Sequence, residues 1–393
     1  MLEQIIFSIL CILSFGFAAK RFLFISRNIN LGVDWTPDST PSEKWKNVIF
    51  IAFGQKKMFT KWLPAILHLF IYIAFIFTQI ELIEILIDGI TGSHRVFLPI
   101  LGSFYLLIIN FIEVLSLLAL IGTFVFLARR NLLKIPRFQS VELKGWPALD
   151  ALIILLAEIV LVSFIFMMNS ADVALHQESY QFILSGFLVP LLQDFDTNTL
   201  HVLERVGWWG HIIVVFGFIV YLSYSKHLHI IFAFINTYYA NTKPRGKIEN
   251  MPAIMDEVKS LLGISEASNG TDQLPDFGSN DVFNLSWKNI LDAYTCTECG
   301  RCTEVCPANM TGKKLSPRKI MMDIRDRADE VGKKLDSGDV AFCQDKNMPL
   351  SSANFSDGLS LFSQISPEEI HACTTCNACV EACPVLINPL NQL

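Results

Sequence analysis

Five long apolar segments in the first 240 residues constrain the fold more than any other feature of the sequence. A membrane-spanning helix needs about 20 mostly apolar residues, and each segment is long enough. The segments are 4–24, 62–88, 98–128, 149–169 and 206–228. The sequence therefore predicts a mainly α-helical protein that begins with a five-helix transmembrane bundle.

The predicted domain boundaries follow a change in composition near residue 241, where the chain becomes polar and rich in charge, Gly and Pro. The bundle occupies residues 1–240. A linker at 241–285 contains a short amphipathic helix at 251–262 and a loose stretch, 265–280, rich in Ser, Asn, Gly and Asp. A small soluble domain follows at 286–393. The net charge of -6 gives no indication of nucleic-acid binding.

Lysine and arginine residues between the apolar segments predict the orientation. Eight of them lie at 20–61 and five at 129–144, whereas the other two loops hold one arginine each, Arg95 and Arg205. Cytoplasmic loops carry the excess of positive charge. We therefore expect a multi-pass protein of the inner (cytoplasmic) membrane, with the N-terminus outside and the soluble domain in the cytoplasm. Glu3 is the only charge before Lys20, so the first segment is predicted to remain as an anchor rather than act as a signal peptide.

A cysteine motif occurs twice in the soluble domain, each time as Cys-x2-Cys-x2-Cys-x3-Cys-Pro. The first copy comprises Cys296, Cys299, Cys302 and Cys306, and the second comprises Cys373, Cys376, Cys379 and Cys383. This spacing is typical of two-[4Fe–4S] ferredoxins, in which the fourth cysteine of each motif ligates the other cluster. Zinc sites instead use cysteine pairs with a longer spacer. Cys11 and Cys343 lie outside both motifs and are interpreted as buried residues.

The motif therefore predicts a crossed set of ligands for two [4Fe–4S] clusters. The first cluster is assigned Cys296, Cys299, Cys302 and Cys383. The second is assigned Cys373, Cys376, Cys379 and Cys306. Helices are predicted at 284–294, from Ser316-Pro317 towards residue 334, and after the capping box at Ser366. The insertion between the motifs is either a docking surface or a spacer.

Three histidines stand out by their depth in the predicted spans. His68 lies near the inner face in the second span, and His211 and His229 lie at the outer and inner ends of the fifth. Eighteen residues, or five full helical turns, separate His211 from His229, so both side chains are expected on one helix face about 27 Å apart. Histidines at two depths suit axial haem b ligands, with His68 paired to His229. Interfacial or proton-pathway roles are the alternative, and they are equally supported for His211.

The stretch that ends Ser225-Lys226-His227-Leu228-His229 resembles the fifth span of the cytochrome b (gamma) subunit of respiratory nitrate reductase, a five-span family with its N-terminus outside. The cysteine-rich tail resembles the iron–sulfur part of heterodisulfide-reductase-type proteins. The combined architecture is similar to membrane iron–sulfur/cytochrome b oxidoreductases that link electron-transfer flavoprotein to menaquinone. The resemblance covers essentially the whole chain.

Two departures limit what this resemblance implies. The nitrate reductase pattern has a second histidine ten residues after the one matching His68, and Thr78 stands there. Only the inner haem carries over, and an outer haem would pair His211 with His94. The Cys-Cys-Gly repeats of the fused relatives are absent before the chain stops at Leu393. The catalytic half is therefore expected on a separate subunit or to have been cut off.

Carboxylates inside the predicted bundle point to a quinone or proton path. Glu81, Glu84 and Asp88 follow one another at helical spacing in the second span, and Glu113 and Glu158 lie near the middle of the third and fourth. Intramembrane carboxylates are costly and usually functional. For the first three, a position in the outer headgroup zone is an equally supported alternative.

The features together predict an oxidoreductase subunit that carries electrons across two [4Fe–4S] clusters and haem b, in one copy or two, to a quinone. Its expected partner is electron-transfer flavoprotein or a Cys-Cys-Gly-repeat subunit. The reverse direction, quinol oxidation feeding a heterodisulfide-reductase-like complex, uses the same parts. A haem-free membrane anchor for a ferredoxin is the alternative from another class.

Overall fold

The structure is a computed structural model that describes residues 1–176, 181–244, 247, 252–264, 278–337 and 354–392. Within these residues the regular elements are helices, joined by turns and by one isolated parallel β-bridge between Val33 and Ser286. The predicted mainly α-helical fold is confirmed. Cys343 and most of the predicted loose stretch at 265–280 lie outside the described residues.

Five helices of the described chain are long and apolar enough to cross a membrane, which confirms the predicted number of spans. They are α1 (Leu2–Ile29), α2 (Trp62–Thr91), α3 (Ser103–Asn131), α4 (Trp146–Leu175) and α5 (Thr197–Leu222). Shorter elements connect them: Pro41–Asn47, Val48–Phe53, Met58–Thr60, Leu98–Leu101, Pro136–Phe138, Val141–Leu143, Ile183–Gly186, Val189–Leu191 and Lys226–Leu228.

The remaining helices are shorter than these five. They are α6 (His229–Tyr238), α7 (Pro252–Leu261), α8 (Trp287–Thr295), α9 (Pro317–Asp336) and α10 (Pro367–His371). Single turns at Val282–Asn284, Arg301–Glu304, Pro307–Met310, Leu361–Ser363, Ala378–Ala382 and Pro389–Gln392 complete the described chain. The helices predicted at 251–262, 284–294, after Ser316 and after Ser366 are all present, with small shifts at their ends.

Side-chain caps explain where several of these helices begin. Ser316 accepts a hydrogen bond from the Lys319 amide, and Pro317 follows at the first helical position. Ser366 and Glu369 form the predicted capping box at the start of α10. Such caps satisfy backbone N–H groups that have no partner inside the helix. The local sequence therefore fixes these helix starts.

The fifth membrane helix ends earlier than the sequence predicts. α5 ends at Leu222, a turn follows, and His229 begins the separate helix α6. The expectation that His211 and His229 share one face of a continuous helix is therefore wrong. The turn at 223–228 reads Ser-Tyr-Ser-Lys-His-Leu, so the polar residues after Leu222 were the available signal for this helix end.

Contacts divide the chain into two compact units that do not follow chain order. The first unit comprises Met1–Leu23 and Met58–Leu228, and the second comprises Phe24–Lys57 and His229–Leu393. The predicted boundary after residue 240 places 24–57 with the bundle. The structure instead groups this segment with the cysteine-rich part of the chain.

The first unit packs around aromatic and aliphatic side chains of α1, α2, α4 and α5. Phe7 of α1 is fully buried, and its ring centroid lies 5.5 Å from that of Trp208 and 5.4 Å from that of Phe216. Gly89 lets α2 approach this ring, because a Cβ there would lie 2.5 Å from it. Many apolar side chains on the outer helix faces are exposed, as expected for surfaces that contact lipid.

Backbone pairing holds the 24–57 segment within the second unit. The Val33 amide donates to the Leu285 carbonyl at 2.8 Å, and the Trp287 amide donates to the Val33 carbonyl at 3.0 Å. Asn28 donates to the Tyr294 hydroxyl at 3.0 Å. These contacts join residues more than 250 positions apart, so local sequence patterns do not reveal them.

Helix α5 provides a test of the close packing in the first unit. Gly207 faces α4, where a Cβ would lie 2.7 Å from the Met168 nitrogen, whereas a Cβ at Gly217 would meet nothing within 4 Å. We expect G207A to destabilise the protein by about 1–3 kcal/mol through overpacking. G217A should have no such cost and should gain up to about 1 kcal/mol from helix propensity.

Thermal unfolding of the two variants in the same detergent measures this difference. G207A should unfold at a lower temperature than the wild type, and G217A should not. Equal midpoints for the two variants would contradict the close approach of α4 and α5 at Gly207.

Candidate metal centre and carboxylate-lined cavity

The two cysteine motifs adopt the same loop conformation in the second unit. In the first motif, Glu298 and Gly300 have left-handed backbone conformations, with φ of 55° and 73°. In the second motif, Thr375 and Asn377 occupy the equivalent positions with φ of 51° and 60°. Turns of this kind point successive backbone N–H groups into a concavity, and many iron–sulfur sites are built this way. The repeat in sequence is therefore also a repeat in structure.

The structure brings the cysteines together in the predicted crossed sets. Cys296, Cys299, Cys302 and Cys383 line one cavity of the second unit. Cys379 interacts electrostatically with Cys373, Cys306 and Cys376. Cys302 interacts with the other members of its own set and with Cys379, so the two sets lie near one another. The fourth cysteine of each motif thus lies with the first three of the other.

The surroundings of these sulfurs suit metal-bound thiolates. Burial raises the pKa of the Cys296 and Cys383 thiols to about 12, so metal binding must displace their protons. The backbone amide of Ile387 donates to the Cys383 sulfur at 3.3 Å, and that of Thr375 donates to the Cys373 sulfur at 3.4 Å. Hydrogen bonds of this kind stabilise thiolates and tune iron–sulfur potentials. Four thiols per set and the N–H-lined loops therefore fit a [4Fe–4S] cluster.

The two sets differ in exposure to solvent. Cys376 of the second set is exposed, whereas the first set contains no exposed cysteine among its four members. Cys296 and Cys383 of the first set are buried. Solvent and a soluble molecule therefore have more direct access to the second set.

A buried ion pair, which the sequence analysis missed, supports the chain after Cys383. Lys288 donates to Asp292 at 2.6 Å and to the Asn236 side chain at 2.9 Å. Asn236 in turn donates to the Val385 carbonyl at 3.0 Å. The spacing of Lys288 and Asp292 by four residues on α8 was the available signal. Breaking such a buried pair leaves an uncompensated charge.

The predicted quinone-path carboxylates are only partly brought together in the first unit. Glu81 and Glu84 line a cavity of about 110 Å³, open to solvent, where α2 and α4 end and α1 and α5 begin. The other lining residues are Glu3, Gln4, Ile85, Asp88, Gly89, Gly92, Ser93, His94, Arg95, Met168, Asp172, Glu204, Arg205, Trp208 and Trp209. Glu158 does not line it and interacts with Thr123 of α3.

Arg95 organises the polar wall of this cavity. Its guanidinium donates to Asp172 at 2.6 Å, to the Tyr105 hydroxyl at 2.8 Å and to Asn169 at 2.9 Å. Its own amide donates to Asp88 at 2.8 Å. The residue is 5% exposed, so these contacts replace its hydration. In the sequence Arg95 served only as evidence for orientation, and nothing there revealed its partners.

Two carboxylates continue this network through different partners. Glu84 accepts a hydrogen bond from the Tyr105 hydroxyl at 2.7 Å and another from the Phe97 amide at 2.9 Å. Glu113 accepts hydrogen bonds from the Ser185 hydroxyl and from the Leu184 amide, the latter at 2.9 Å. Both side chains are buried and hold loops against the helices.

Glu81 differs from these carboxylates, because one of its oxygens is left unsatisfied. Its Oε1 atom is buried and has no hydrogen-bond partner among the described residues, although the side chain lines the cavity. An unsatisfied buried acceptor costs free energy unless a ligand, a proton or water meets it.

The histidines lie in distinct settings. His68 is half-buried in α2, and His229 begins α6 in the second unit. His211 is 8% exposed, and its Nδ1 lies 3.1 Å from the Leu161 carbonyl oxygen. A protonated Nδ1 would donate there and leave Nε2 as the ligand atom. The Nε2 of His94 lies 3.2 Å from Asp172.

Comparison with known proteins identifies the cysteine-rich segment. Residues 295–387 match the model of the 4Fe-4S dicluster domain. The chain is 28% identical over 369 residues to the "Probable iron-sulfur-binding oxidoreductase FadF" of Bacillus subtilis, covering 89% of this chain and 48% of that protein. It is 25% identical over 370 residues to the "EtfAB:quinone oxidoreductase" of Syntrophomonas wolfei, covering 91% and 48%.

A third relative matches a smaller part of the chain. The "Probable membrane-anchored ferredoxin" of Chromohalobacter salexigens is 26% identical over 206 residues, covering 49% of this chain and 28% of that protein. The chain spans about half the length of FadF and of the EtfAB:quinone oxidoreductase. No solved structure matches it. The comparisons thus support iron–sulfur binding and membrane association.

The Arg95 network gives a testable expectation for stability. R95Q should leave Asp172 as a buried carboxylate without its cation, at a cost of about 3–5 kcal/mol. R95K keeps the charge but cannot form all three hydrogen bonds of the guanidinium. It should therefore also destabilise the protein, but by less than R95Q. Denaturant unfolding in detergent measures both effects.

Arg205 provides the matched control in the same cavity. It pairs with the neighbouring Glu204, and its side chain is 43% exposed. R205Q should therefore change stability by less than about 1 kcal/mol. Equal losses for R95Q and R205Q would show that Arg95 is not the central cation.

Proposed function

We propose that this chain is a membrane-bound electron-transfer subunit that exchanges electrons between a soluble partner and a quinone. The observation that carries the proposal is the crossed grouping of eight cysteines in a chain that also holds five helices able to span a membrane. The names of the relatives FadF and EtfAB:quinone oxidoreductase support it. By the positive-inside rule the cysteine-rich part faces the cytoplasm.

The cysteines hold two [4Fe–4S] clusters in this proposal. Cys296, Cys299, Cys302 and Cys383 are the ligands of one, and Cys373, Cys376, Cys379 and Cys306 are the ligands of the other. When bound, each cluster takes up and gives back a single electron. The protein supplies the thiolates, the amide donors on their sulfurs and the burial that excludes water.

The partner docks at the second set of cysteines in this proposal. Cys376 is the exposed member, so a soluble redox protein approaches most closely there. The partner is a flavoprotein such as electron-transfer flavoprotein, or a Cys-Cys-Gly-repeat subunit. The direction of electron flow follows from the potentials of the partner and the quinone.

Quinone chemistry assigns a role to the carboxylate-lined cavity. Reducing a quinone to a quinol takes two electrons and two protons. Glu81, with an unsatisfied oxygen at the cavity, and Glu84, bonded to Tyr105, are the groups that exchange these protons. The indoles of Trp208 and Trp209 provide aromatic surface beside them. Glu113 and Glu158 lie further along the proposed proton path.

Haem b is the remaining cofactor of the proposal, and His68 and His229 are the residues that would hold it. Imidazole is the donor type that b-type haems use, and His68 is half-buried in an apolar helix. A second haem would use His211, whose Nδ1 contact suits a ligating Nε2, with His94 as its partner.

A haem-free anchor for a ferredoxin is the second candidate function. The relative described as a membrane-anchored ferredoxin favours it. In this case the bundle only holds the cysteine-rich part at the membrane, and neither histidine carries a cofactor.

Crossed ligation predicts which cysteine variants resemble one another. C383A and C296A should each lower the non-haem iron content from about eight to about four atoms per chain and leave the same residual cluster spectrum. C306A and C373A should instead leave the spectrum of the first cluster. Iron analysis and electron paramagnetic resonance of the reduced proteins measure this, with C11A as the control that keeps all the iron. A C383A spectrum that matches C379A instead would contradict the crossing.

Histidine variants separate the two candidate functions. A reduced-minus-oxidised spectrum of the wild type should show b-type absorbance, and H68A and H229A should abolish it while the non-haem iron content stays unchanged. Both variants should also slow reoxidation of the dithionite-reduced protein by a menaquinone analogue at least about tenfold. H201A, at an exposed position, is the control. Absence of b-type absorbance in the wild type would favour the haem-free anchor.

A further inference from the structure

Three metal-ligating side chains converge at one end of the first unit. His94 follows the end of α2, Asp172 lies in the last turns of α4, and His176 caps that helix. The His94 Nε2 lies 3.2 Å from Asp172 Oδ1, and the His176 Nδ1 lies 3.0 Å from the same oxygen. One ligand atom from each residue lies within 4.8 Å of the other two.

These spacings are close to those of a tetrahedral metal site. Zinc binds histidine nitrogen and carboxylate oxygen at about 2.0–2.2 Å, which places adjacent ligand atoms about 3.3–3.6 Å apart. The two nitrogen–oxygen distances are a few tenths of an ångström shorter. A small outward movement of the partly exposed imidazoles would admit the ion.

The carboxylate is already oriented by a second shell of polar groups. Asp172 is 1% exposed and accepts the Arg95 guanidinium on its other oxygen, Oδ2, at 2.6 Å. Tyr105 and Asn169 hold the guanidinium in turn. Hydrogen bonds to ligating carboxylates fix their orientation in known metal sites. Oδ1 is thereby directed towards the two histidines.

The site has a path to solvent. The His94 side chain is 47% exposed and that of His176 is 40% exposed, whereas Asp172 is buried beneath them. The rings stack with their centroids 5.5 Å apart. An ion can therefore enter from the surface and meet the buried carboxylate last.

We propose that His94, Asp172 and His176 bind a divalent transition-metal ion of the zinc class. Two imidazoles and a carboxylate are ligands that zinc, copper and nickel accept, and they leave a fourth position for water. The bound ion fastens the segment after α2 to the end of α4. Since His94 and Asp172 also line the carboxylate cavity, the ion adds positive charge at its wall. This site uses none of the eight cysteines, and an ion bound there excludes His94 as the partner of His211 in a second haem.

Zinc uptake by the full-length protein tests the proposal. The purified protein with its clusters intact is equilibrated with buffered free zinc without oxygen, and zinc and iron are measured by mass spectrometry. Iron content verifies that zinc has not replaced the clusters. The wild type should bind one more zinc than H94Q or H176Q, whose affinities should fall by more than the 10- to 100-fold typical of losing a second-shell partner.

Two further measurements keep the outcome clear. H201Q, at an exposed histidine in α5, should bind zinc like the wild type. Zinc should raise the unfolding temperature of the wild type and of H201Q but not that of H94Q or H176Q, because only a ligand of the folded state stabilises it. Unfolding without zinc verifies that both variants fold. Equal zinc uptake by wild type, H94Q and H176Q would overturn the proposal and leave a hydrogen-bonded His–Asp–His cluster.

Discussion

The second unit depends on the crossed grouping of its cysteines, in which each motif contributes its fourth sulfur to the site of the other motif. Cys306 and Cys383 each lie with the three sulfurs of the opposite motif, so two segments more than 70 residues apart are joined at two places. Helix α9 lies between the two motifs in sequence. Its Arg327 forms hydrogen bonds with one residue that precedes each motif. Arg327 is fully buried and donates to Asp281 at 2.9 Å and to Asp357 at 2.8 Å.

The first unit satisfies a different constraint, which is the cost of polar groups among apolar helices. Two of its buried carboxylates, Glu84 and Glu113, accept hydrogen bonds from tyrosine, serine and backbone amide groups, as buried charges require. Two positions stand apart from this pattern. Glu81 keeps one unsatisfied oxygen, and Asp172 is approached by two imidazoles as well as by Arg95. These two positions carry the proposals for quinone chemistry and for metal binding.

Much of this arrangement could be predicted from local sequence patterns. The lengths of the apolar segments predict the five membrane-spanning helices. Ser316 and Ser366 mark helix starts, and the spacing of the cysteine motifs predicts how the cysteines group. Non-local contacts could not be predicted. The grouping of 24–57 with the cysteine-rich part depends on backbone pairing at Val33, and the role of Arg95 depends on partners from three segments. The end of α5 at Leu222 was missed, although the polar residues at 223–227 mark it.

The crossed grouping also has a consequence for biosynthesis. A ribosome makes the first motif well before the second, and until Cys383 emerges the first site has three sulfurs and an open corner. Neither site is complete while the chain is still growing through this region. Cluster insertion must therefore follow synthesis of both motifs. After synthesis, the domain either holds both clusters or still requires the assembly machinery to insert them.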